Sequence, residues 1–552
     1  FVIIEEMKAG CVNMGFYLNS TSAFSLYKSE IKKPYFVDKT MILKELFPMV
    51  AAGNSHICIT RPRRFGKTMA ANMIGAFFGK GNKAGNIFDS LNISEVSGYA
   101  ENLNHYNMIY IDFSKNNEDS DSYQEYIDTI KELLREDLHQ AYSQIVFREK
   151  GSVTEDFTRI FNQTGDRFIF VLDEWDCIFH KKYITDTDKH RYISFLNTLL
   201  KDQPYVQFTY MTGILPIAKY SSGSELNMFA EFTMVNQSMF SQYFGFTDEE
   251  VDRLFDKYLE NCKQQKLLPC VTRDGLRQWY NGYQTKSGVR VYNPRSVVFA
   301  LQFNNLGNYW TSAGPYDEIF YYIEHNVADV RDDLALMAAG EAVPAKVQEY
   351  ASTSMNLATK DEIFSAMVVY GFLSYGDGKV SIPNRELMEK FDEMLLKEPS
   401  LGYVYRLAKE SDKMLAATLA GDTKTMEKIL GYVHDTEVPI LSYNHETELS
   451  AIVNLVYLSA RDQYRIEREE KAGTGYVDFI FYPEDKKADC MILELKVDHT
   501  PEEAIQQIKE KRYALKFKGK IGDDDPYTGR ILAVGIGYDK KKKNHQCKIE
   551  VL

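Results

Sequence analysis

Two segments of the sequence place reactive side chains where phosphate chemistry would need them. The first, Arg61-Pro62-Arg63-Arg64-Phe65-Gly66-Lys67-Thr68, follows the apolar segment 56–60 and precedes the Ala-rich segment 69–78. An apolar strand, a tight loop ending in Gly-Lys-Thr and a helix are the order of a phosphate-binding loop, whose backbone amides cradle phosphates. In that arrangement Lys67 would reach the β- and γ-phosphates of ATP, and Thr68 would hold Mg²⁺.

The loop departs from the usual pattern at its first position. A glycine is expected there, and the sequence has Arg61 instead. Together with Arg63 and Arg64, this residue places three cations around the loop. They could compensate for the missing glycine, bind Glu174 in a resting state or contact another ligand, and the sequence leaves these roles open. Phe65 and Gly66 complete the predicted nucleotide-contacting loop.

A pair of acids ends another apolar segment. Residues 168–172 run directly into Asp173 and Glu174. In P-loop ATPases the first acid supports Mg²⁺ and the second polarises the attacking water. A surface turn is the alternative, but it does not explain why two acids end a buried strand, where an unpaired charge is costly. Thr212, at the end of the segment 206–212, is a candidate polar sensor near the γ-phosphate, with a structural threonine as the alternative.

A second candidate site lies near the C-terminus. Asp478 follows a Gly-Thr-Gly turn (473–475), and Glu494 and Lys496 end the apolar segment 491–496. Period-two alternation places Glu494 and Lys496 on one face of a strand, where Asp478 can meet Glu494 if the strands pair. Two facing carboxylates repel unless a cation lies between them, and Mg²⁺ or Mn²⁺ is the natural occupant. Lys496 could then orient or help deprotonate a water, or offset charge on a phosphate.

Three further residues belong to this second prediction. Glu446 opens the preceding predicted helix and could supply a third metal-binding acid, and Glu448 is the lesser candidate. Gln507, in the helix that follows the lysine, could contact a phosphate or brace Lys496. The spacing of acids and lysine is weak evidence alone, so a nuclease-like fold without catalysis remains the alternative.

Length and charge restrict the class of protein. A chain of 552 residues is too long for one core and predicts three or four domains. The net charge of −13 excludes a protein coated with phosphate-binding residues. Residues 501–552, however, hold 12 Lys and Arg against 8 Asp and Glu. A local nucleic-acid groove and a solvated surface are the two interpretations of these cations: Lys509, Lys511, Arg512 and Lys540 to Lys543.

Apolar runs, the N-terminal segment and the cysteines give the expected location of the protein. No apolar run reaches the length of a membrane span, and the N-terminus lacks a signal-peptide pattern. Seven scattered cysteines without a Cys-x-x-Cys pair indicate reduced thiols. A cytoplasmic protein without a membrane partner is therefore expected, with a homo-oligomer among the open alternatives.

Apolar strands alternating with amphipathic helices predict a multidomain α/β protein. The first part reads as a P-loop ATPase with a parallel sheet, and the middle as a helical, winged-helix-like connector with helix, strand, Gly-Asp-Gly turn and strand at 360–387. The last part reads as helix, three strands, helix and a final strand at 529–539, a restriction-endonuclease-like α/β unit. The predicted boundaries are a tail 1–13, an ATPase domain 14–238, a connector 239–400 and a nuclease-like domain 401–552.

The phosphate-loop segments resemble the AAA-ATPase-like family of bacterial proteins. The similarity is carried by TRPRRFGKT (60–68), VLDEWD (171–176), MTGILPI (211–217) and YNPRSV (292–297). It implies that the absent first glycine is usual in the family and that ATP is the ligand. It also suggests that Asp38 and Lys39 help form the nucleotide pocket. Arg295 stands where relatives often have Trp, and an arginine finger or a structural helix-start residue are its alternatives.

The C-terminal segments resemble the PD-(D/E)XK nuclease superfamily. The matching text is the helix at 443–464, AGTGYVDFIF (472–481), ILELK (492–496) and AIQQIKEKRY (504–513), with Val477 where the motif often has proline. The resemblance implies an ATP-dependent switch or motor coupled to a divalent-metal nuclease that cuts DNA, with RNA not excluded, in defence against foreign DNA. The alternative is an ATP-regulated interaction protein whose nuclease-like domain only binds. A P-loop phosphotransferase ranks last because it leaves residues 440–540 without a role.

Overall fold

The computed structural model describes residues 15–80, 87–115, 120–217, 226–236, 238–310, 327–348, 359–397, 399–432, 446–472, 475–517 and 527–552. The predicted tail 1–13 lies outside these ranges, as do residues 473 and 474 of the Gly-Thr-Gly turn. Within the described ranges, no helix combines the length and apolarity that a bilayer span requires.

The first part of the chain forms a five-stranded parallel sheet with the order β2-β3-β4-β1-β5. Its strands are β1 (Ser55–Thr60), β2 (Asn107–Asp112), β3 (Phe168–Asp173), β4 (Val206–Gly213) and β5 (Ala230–Phe232). Its helices are α1 (Ser22–Glu30), α2 (Ile42–Ala52), α3 (Lys67–Phe78), α4 (Tyr99–Asn102), α5 (Tyr123–Ala141), α6 (Val153–Thr164) and α7 (Asp186–Leu200).

Both faces of this sheet are covered, as a parallel sheet requires. In β3, Phe170 and Leu172 pack on the face covered by α5, α6 and α7, whereas Ile169 and Val171 pack on the face covered by α1, α2 and α3. Residues adjacent in sequence therefore enter opposite cores, which explains why the strand reads as continuously apolar. The sequence predicted β1 to β4, but the three-residue edge strand β5 gave no periodic signal.

The middle of the chain is mainly helical with two small sheets. The predicted capping box is present at the start of α8, where the Thr247 hydroxyl accepts the Glu250 amide. The elements are α8 (Asp248–Gln265), α9 (Arg273–Tyr280), β6 (Tyr283–Gln284), β7 (Arg290–Val291), α10 (Pro294–Phe303), α11 (Val327–Ala338), β8 (Val343–Pro344), α12 (Lys360–Tyr370), β9 (Ser374–Gly376), β10 (Lys379–Ser381), α13 (Arg385–Lys397), α14 (Tyr403–Lys409), α15 (Ser411–Ala420) and α16 (Thr423–Gly431).

The C-terminal part contains a mixed five-stranded sheet in chain order. Its elements are α17 (Glu446–Val456), β11 (Tyr464–Ala472), β12 (Gly475–Pro483), β13 (Cys490–Val497), α18 (Pro501–Glu510), β14 (Ile531–Asp539) and β15 (Asn544–Val551). Only β13 and β14 pair in parallel, and α18 forms their crossover. The expectation of β14 as the final strand is wrong, since the alternating segment NHQCKIEV pairs antiparallel with it.

One apolar core joins the middle helices to the C-terminal sheet. It includes Leu334 of α11, Val453 of α17 and Leu493 of β13, and it reaches Phe65 of the phosphate loop. The opposite face of the C-terminal sheet packs against α18 through Ile505 and Ile508. The predicted α/β fold class, with a parallel ATPase-like sheet and a C-terminal α/β unit, is confirmed. The predicted domain boundaries stay predictions, as does the winged-helix character of the connector.

Candidate functional sites

The phosphate loop has the backbone that its sequence predicts. Gly66 precedes α3 with φ of +89°, a left-handed conformation that glycine adopts without strain. Lys67 is the first residue of α3 and is only 4% exposed. Its Nζ lies 3.3 Å from the Pro62 carbonyl oxygen and 3.9 Å from Glu174 Oε1. A buried ammonium beside the first amides of a helix is an arrangement that can bind an anion.

Acids from two neighbouring strands meet opposite this lysine. Asp173 ends β3 and is fully buried, and its register partner is Asp112, which ends β2. Burial, followed by the charges of Glu174 and Asp112, raises the pKa of Asp173 to about 7. The Thr68 hydroxyl and Lys67 oppose this shift, so both lie near the carboxylate. Asp112 is not among the residues predicted from the sequence, although its position at the end of an apolar strand is a usable signal.

Glu174 occupies a strained turn directly after β3. Its φ is +52°, which is uncommon for a residue with a side chain. Burial raises the pKa of its carboxyl, while Lys67 and Arg63 favour the ionised form. Strained backbone of this kind is often retained at functional sites.

Asp176 fixes the end of β4. Asp176 Oδ2 accepts the amides of Ile214 and Leu215 at 3.0 and 2.7 Å, which holds the chain after β4. Thr212 is buried within β4 beside Tyr210, and its carbonyl accepts the Trp175 amide. The structure therefore places the predicted sensor on the strand between β3 and β1, at the same edge as Asp173.

The three loop arginines have three different environments. Arg61 is 2% exposed and donates to the carbonyls of Thr60 and Phe232 at 2.7 and 2.8 Å, so it joins β1 to β5. Arg64 donates to backbone carbonyls of residues 309 and 310. Arg63 is the one whose charge acts on Glu174. Of the roles left open by the sequence, this charge interaction favours the one in which Arg63 acts on Glu174 in a resting state.

An apolar cavity lies beside the start of α3. Its walls come from the segment before β1, from α3, from residues 243–246 and from Pro294 of the YNPRSV segment. Lys39 lines the cavity, and its Nζ donates to the Gln242 carbonyl and to Glu250 Oε2, each at 2.7 Å. The Asp38 carboxylate accepts the Thr40 and Asn92 amides. The lining residues are Tyr27, Phe36, Val37, Lys39, Ile42, Phe65, Gly66, Met69, Ala70, Met73, Tyr243, Gly245, Phe246 and Pro294.

Arg295 lies on the exposed side of the helix that follows this proline. Its guanidinium stacks over the Phe299 ring at 4.7 Å, one turn further along α10. This contact agrees with the structural alternative for Arg295 within the chain.

The C-terminal site forms where β12 and β13 diverge. The two strands pair from Phe479 to Phe481, and beyond that point Asp478 Oδ2 accepts the Leu495 amide at 2.7 Å. Glu494 is 2% exposed, and Lys496 Nζ lies 3.0 Å from its Oε1. Burial, followed by the charge of Asp478, raises the pKa of Glu494 to about 7. The structure thus brings together the acids and the lysine that the sequence placed in one site.

Gln507 joins this group from α18. Its side-chain amide donates to Glu494 Oε1 and lies 3.5 Å from the Tyr513 hydroxyl, which itself donates to the Tyr476 carbonyl. Gln507 therefore contacts the glutamate, and the predicted brace on Lys496 is indirect. Sequence reasoning missed Tyr513 because only the fold of the chain after α18 brings its hydroxyl to β12.

The candidate third acid is only partly described. Glu446 is the first residue of α17, and its side chain lies outside the described structure. In the described part of the chain, no group of three or more His, Cys, Asp and Glu side chains is arranged for a metal. The acids of each site nevertheless fit a hard cation, because Asp173 Oδ2 and Glu494 Oε2 are buried without a hydrogen-bond partner among the described residues.

The cations near the C-terminus are partly neutralised. Lys509 pairs with Glu550, and Lys540 and Lys542 lie 3.4 and 3.5 Å from Asp498 and Asp539. Lys511 and Arg512 are exposed directly after α18. A groove that follows a phosphate backbone and a solvated surface both remain consistent with this arrangement.

Comparison with known proteins identifies two domains. The family model described as "Predicted AAA-ATPase" matches residues 24–222, and a model of the PD-(D/E)XK nuclease superfamily matches residues 446–547. An uncharacterized protein encoded in the vnfD 5' region of Azotobacter chroococcum is 26% identical over 291 residues, which are 51% of each chain. The chain thus spans about half the length of that curated relative.

Solved structures overlap with the chain only loosely. A Walker-type ATPase of Pyrococcus abyssi has a TM-score of 0.36 at 10% identity, covering 64% of this chain and 96% of its own. The ORC2 protein of Aeropyrum pernix has a TM-score of 0.31 at 9% identity, covering 72% and 96%. The assignment depends on the two family models: the chain carries an AAA-ATPase-like domain followed by a domain of the PD-(D/E)XK nuclease superfamily.

Proposed function

We propose that the protein binds and hydrolyses ATP at the phosphate loop and uses this reaction to control a metal-dependent nuclease site in its C-terminal domain. The observation that carries the proposal is the meeting of buried Lys67 with the acids that end β2 and β3. Burying the charged ammonium of Lys67 costs free energy, and an anion bound at the start of α3 would offset that cost.

In the nucleotide site each group has a defined task. The amides at the start of α3 and Lys67 bind the phosphates of the nucleotide. Thr68 and Asp173 are the oxygen donors for Mg²⁺, which supplies charge neutralisation when bound. Glu174 accepts a proton from the attacking water, and its contact with Lys67 at 3.9 Å is weak enough to be exchanged for a phosphate.

In the nuclease site Asp478 and Glu494 hold Mg²⁺ or Mn²⁺, with Glu446 as a proposed third ligand. A bound divalent cation supplies Lewis acidity toward a phosphodiester. Lys496, 3.0 Å from Glu494, positions a water or offsets the charge of a phosphate, and Gln507 fixes the Glu494 carboxylate. DNA is the proposed substrate, with RNA as the alternative, and defence against foreign DNA in the bacterial cytoplasm is the proposed role.

Nucleotide binding is tested by Lys67→Ala in the full chain. We expect affinity for ATP with Mg²⁺, measured by calorimetry, to fall at least 100-fold, because charge-assisted hydrogen bonds to phosphate are lost. Lys131→Ala on the solvent side of α5 is the matched control and should bind as the wild type does. An unchanged affinity for Lys67→Ala contradicts the nucleotide proposal.

The nuclease half is tested by incubating wild type and Asp478→Ala with single- and double-stranded DNA and RNA, Mg²⁺ or Mn²⁺, and with or without ATP. Cleavage by the wild type that Asp478→Ala abolishes supports the nuclease. If the wild type cuts none of these substrates while it still binds ATP, the ATP-regulated interaction protein is the correct interpretation.

A further inference from the structure

The phosphate loop is held by a strap from the middle of the chain, formed by Tyr309 and Trp310. Arg64, whose φ is +70°, donates from Nη1 to the Tyr309 carbonyl at 2.6 Å and to the Trp310 carbonyl. In return the Trp310 indole N–H donates to the Arg63 carbonyl at 3.4 Å. The two segments therefore contact each other through side chains of both.

Glu386, at the start of α13, fixes the strap from behind. Its Oε1 accepts the Tyr309 and Trp310 amides, each at 2.7 Å, and both carboxylate oxygens accept the Ser296 hydroxyl at 2.9 Å. The side chain of Asn308 adds a bond to the Glu386 backbone carbonyl at 2.9 Å. Glu386 is 1% exposed, so this carboxylate is buried and satisfied almost entirely by the strap and by α10.

Other contacts bring the same two regions together. Phe65 of the loop packs edge-on against Tyr283 at 4.9 Å. A Cβ at Gly371 would lie 2.6 Å from Pro62 Cβ, so the chain after α12 approaches the loop as closely as a glycine permits. Arg64, Phe65 and Pro62 of the phosphate loop therefore all approach residues of the middle region. Glu386 is the carboxylate that holds the Tyr309 and Trp310 part of these contacts.

We propose that Glu386 is a positioning residue of the nucleotide site: by orienting the carbonyls of Tyr309 and Trp310 toward Arg64, it fixes the phosphate loop in the conformation that binds nucleotide. The inference rests on the proposed ATP binding and adds a residue more than 300 positions from the loop. It also gives Ser296 of the YNPRSV segment a task, since that hydroxyl orients the Glu386 carboxylate.

The helix that carries Glu386 continues to the C-terminal domain. Two turns further along α13, Asp392 pairs with Arg461, which lies between α17 and β11. The same arginine donates to the Ala338 carbonyl at 2.7 Å. One rigid helix thus contacts the strap of the nucleotide site at its first turn and the nuclease-like unit further along.

The test compares variants of α13 in the full chain by calorimetric titration with ATP and Mg²⁺. We expect Glu386→Ala to lower the affinity at least tenfold, because two strap amides lose their acceptor. Glu386→Gln, which keeps an acceptor oxygen, should stay within about threefold of wild type. Glu393→Ala removes a half-buried carboxylate from the same helix, where it pairs with Lys390 and Lys397, and should leave the affinity unchanged.

A double-mutant cycle separates positioning from general stability. If Arg64 and Glu386 act through one strap, the affinity losses of Arg64→Ala and Glu386→Ala will not add in the double variant. Additive losses, or a lowered melting temperature with unchanged affinity, overturn the proposal. Should Glu386→Ala fail to fold, Glu386→Asp carries the test, since its shorter side chain withdraws from the amides; wild-type affinity in that variant also overturns it.

Different results would contradict the proposed function and the role of Glu386. A wild-type protein that does not bind ATP or ADP contradicts the proposed function, and with it this inference. A wild-type protein that binds nucleotide, together with Glu386→Ala binding equally well, contradicts the role of Glu386 alone.

Discussion

The phosphate-loop site and the C-terminal site each combine a buried carboxylate with a lysine, but they hold the lysine differently. Lys67 lies 3.3 Å from a backbone carbonyl and 3.9 Å from Glu174, whereas Lys496 lies 3.0 Å from Glu494 Oε1. Charge-assisted hydrogen bonds are usually 2.7–2.9 Å long. The contacts of Lys67 are therefore easily exchanged for those of an anion, while Lys496 is already engaged with a carboxylate.

The different contacts of Lys67 and Lys496 suggest different ligands for the two sites. Lys67 stands beside the first amides of α3, an arrangement that suits the phosphate proposed for the first site. In the second site one oxygen of Glu494 is occupied by Lys496 and Gln507, and the other is buried without a partner among the described residues. In the proposed nuclease site, a cation between this oxygen and Asp478 would offset their mutual repulsion.

The largest effect is expected from removing the charge of the C-terminal acid. Glu494→Gln should lower metal-dependent DNA cleavage by about 1000-fold or more, because the amide cannot hold a divalent cation as the carboxylate does. Initial cleavage rates measured with Mn²⁺ check this. The control is Glu484→Gln, which changes an exposed residue just after β12. Equal cleavage rates in the two variants would contradict a metal-binding role for Glu494.

A smaller effect is expected from the corresponding change in the nucleotide site. Asp173→Asn should slow ATP hydrolysis about 100-fold, because Mg²⁺ loses an oxygen ligand, while metal-free nucleotide affinity changes less than about threefold. Steady-state phosphate release and calorimetry with EDTA measure the two quantities. Asp202→Asn, on the surface before β4, should behave as wild type; a large loss of metal-free affinity in Asp173→Asn would assign Asp173 a structural role.

The smallest effect concerns pH, because the pKa of both Asp173 and Glu494 is raised to about 7. Each acid must lose its proton to hold a cation, so both activities should rise about tenfold per pH unit below 7 and level off above it. Asp112→Asn removes a charge that raises the pKa of Asp173. It should move the midpoint of the ATP hydrolysis profile to lower pH and leave the cleavage profile unchanged. A shift in both profiles would contradict the independence of the two sites.

Local sequence predicted the parts of each site that lie on one strand, turn or helix. Lys67 and Thr68 were recognisable because they close a Gly-Lys-Thr loop between an apolar strand and a helix, and Asp173 and Glu174 because they stand at the end of another apolar strand. The second site was recognisable because alternation along β13 aligns Glu494 with Lys496. Both sites could be predicted because they depend on the spacing of residues along the chain, which can be read from the sequence.

Contacts between distant segments were not predictable in the same way. Asp112 faces Asp173 only because β2 pairs with β3, and Arg61 turns to Phe232 only because β5 joins the edge beside β1. The roles of Glu386 and Tyr513 could not be predicted, since their partners include backbone groups far away in sequence: the Tyr309 and Trp310 amides for Glu386 and the Tyr476 carbonyl for Tyr513. Backbone amides and carbonyls are the same at every residue, so no pattern of side chains marks them in advance.

The sequence by itself determined the alternation of strands and helices, the phosphate loop and the acid–lysine arrangement near the C-terminus. Only the tertiary structure decided that Arg64 is anchored to Tyr309 and Trp310, that the middle helices share a core with the C-terminal sheet, and which strand ends meet. The physical reason is that periodicity specifies which face of an element is apolar, whereas the partner of that face depends on the packing of the whole chain.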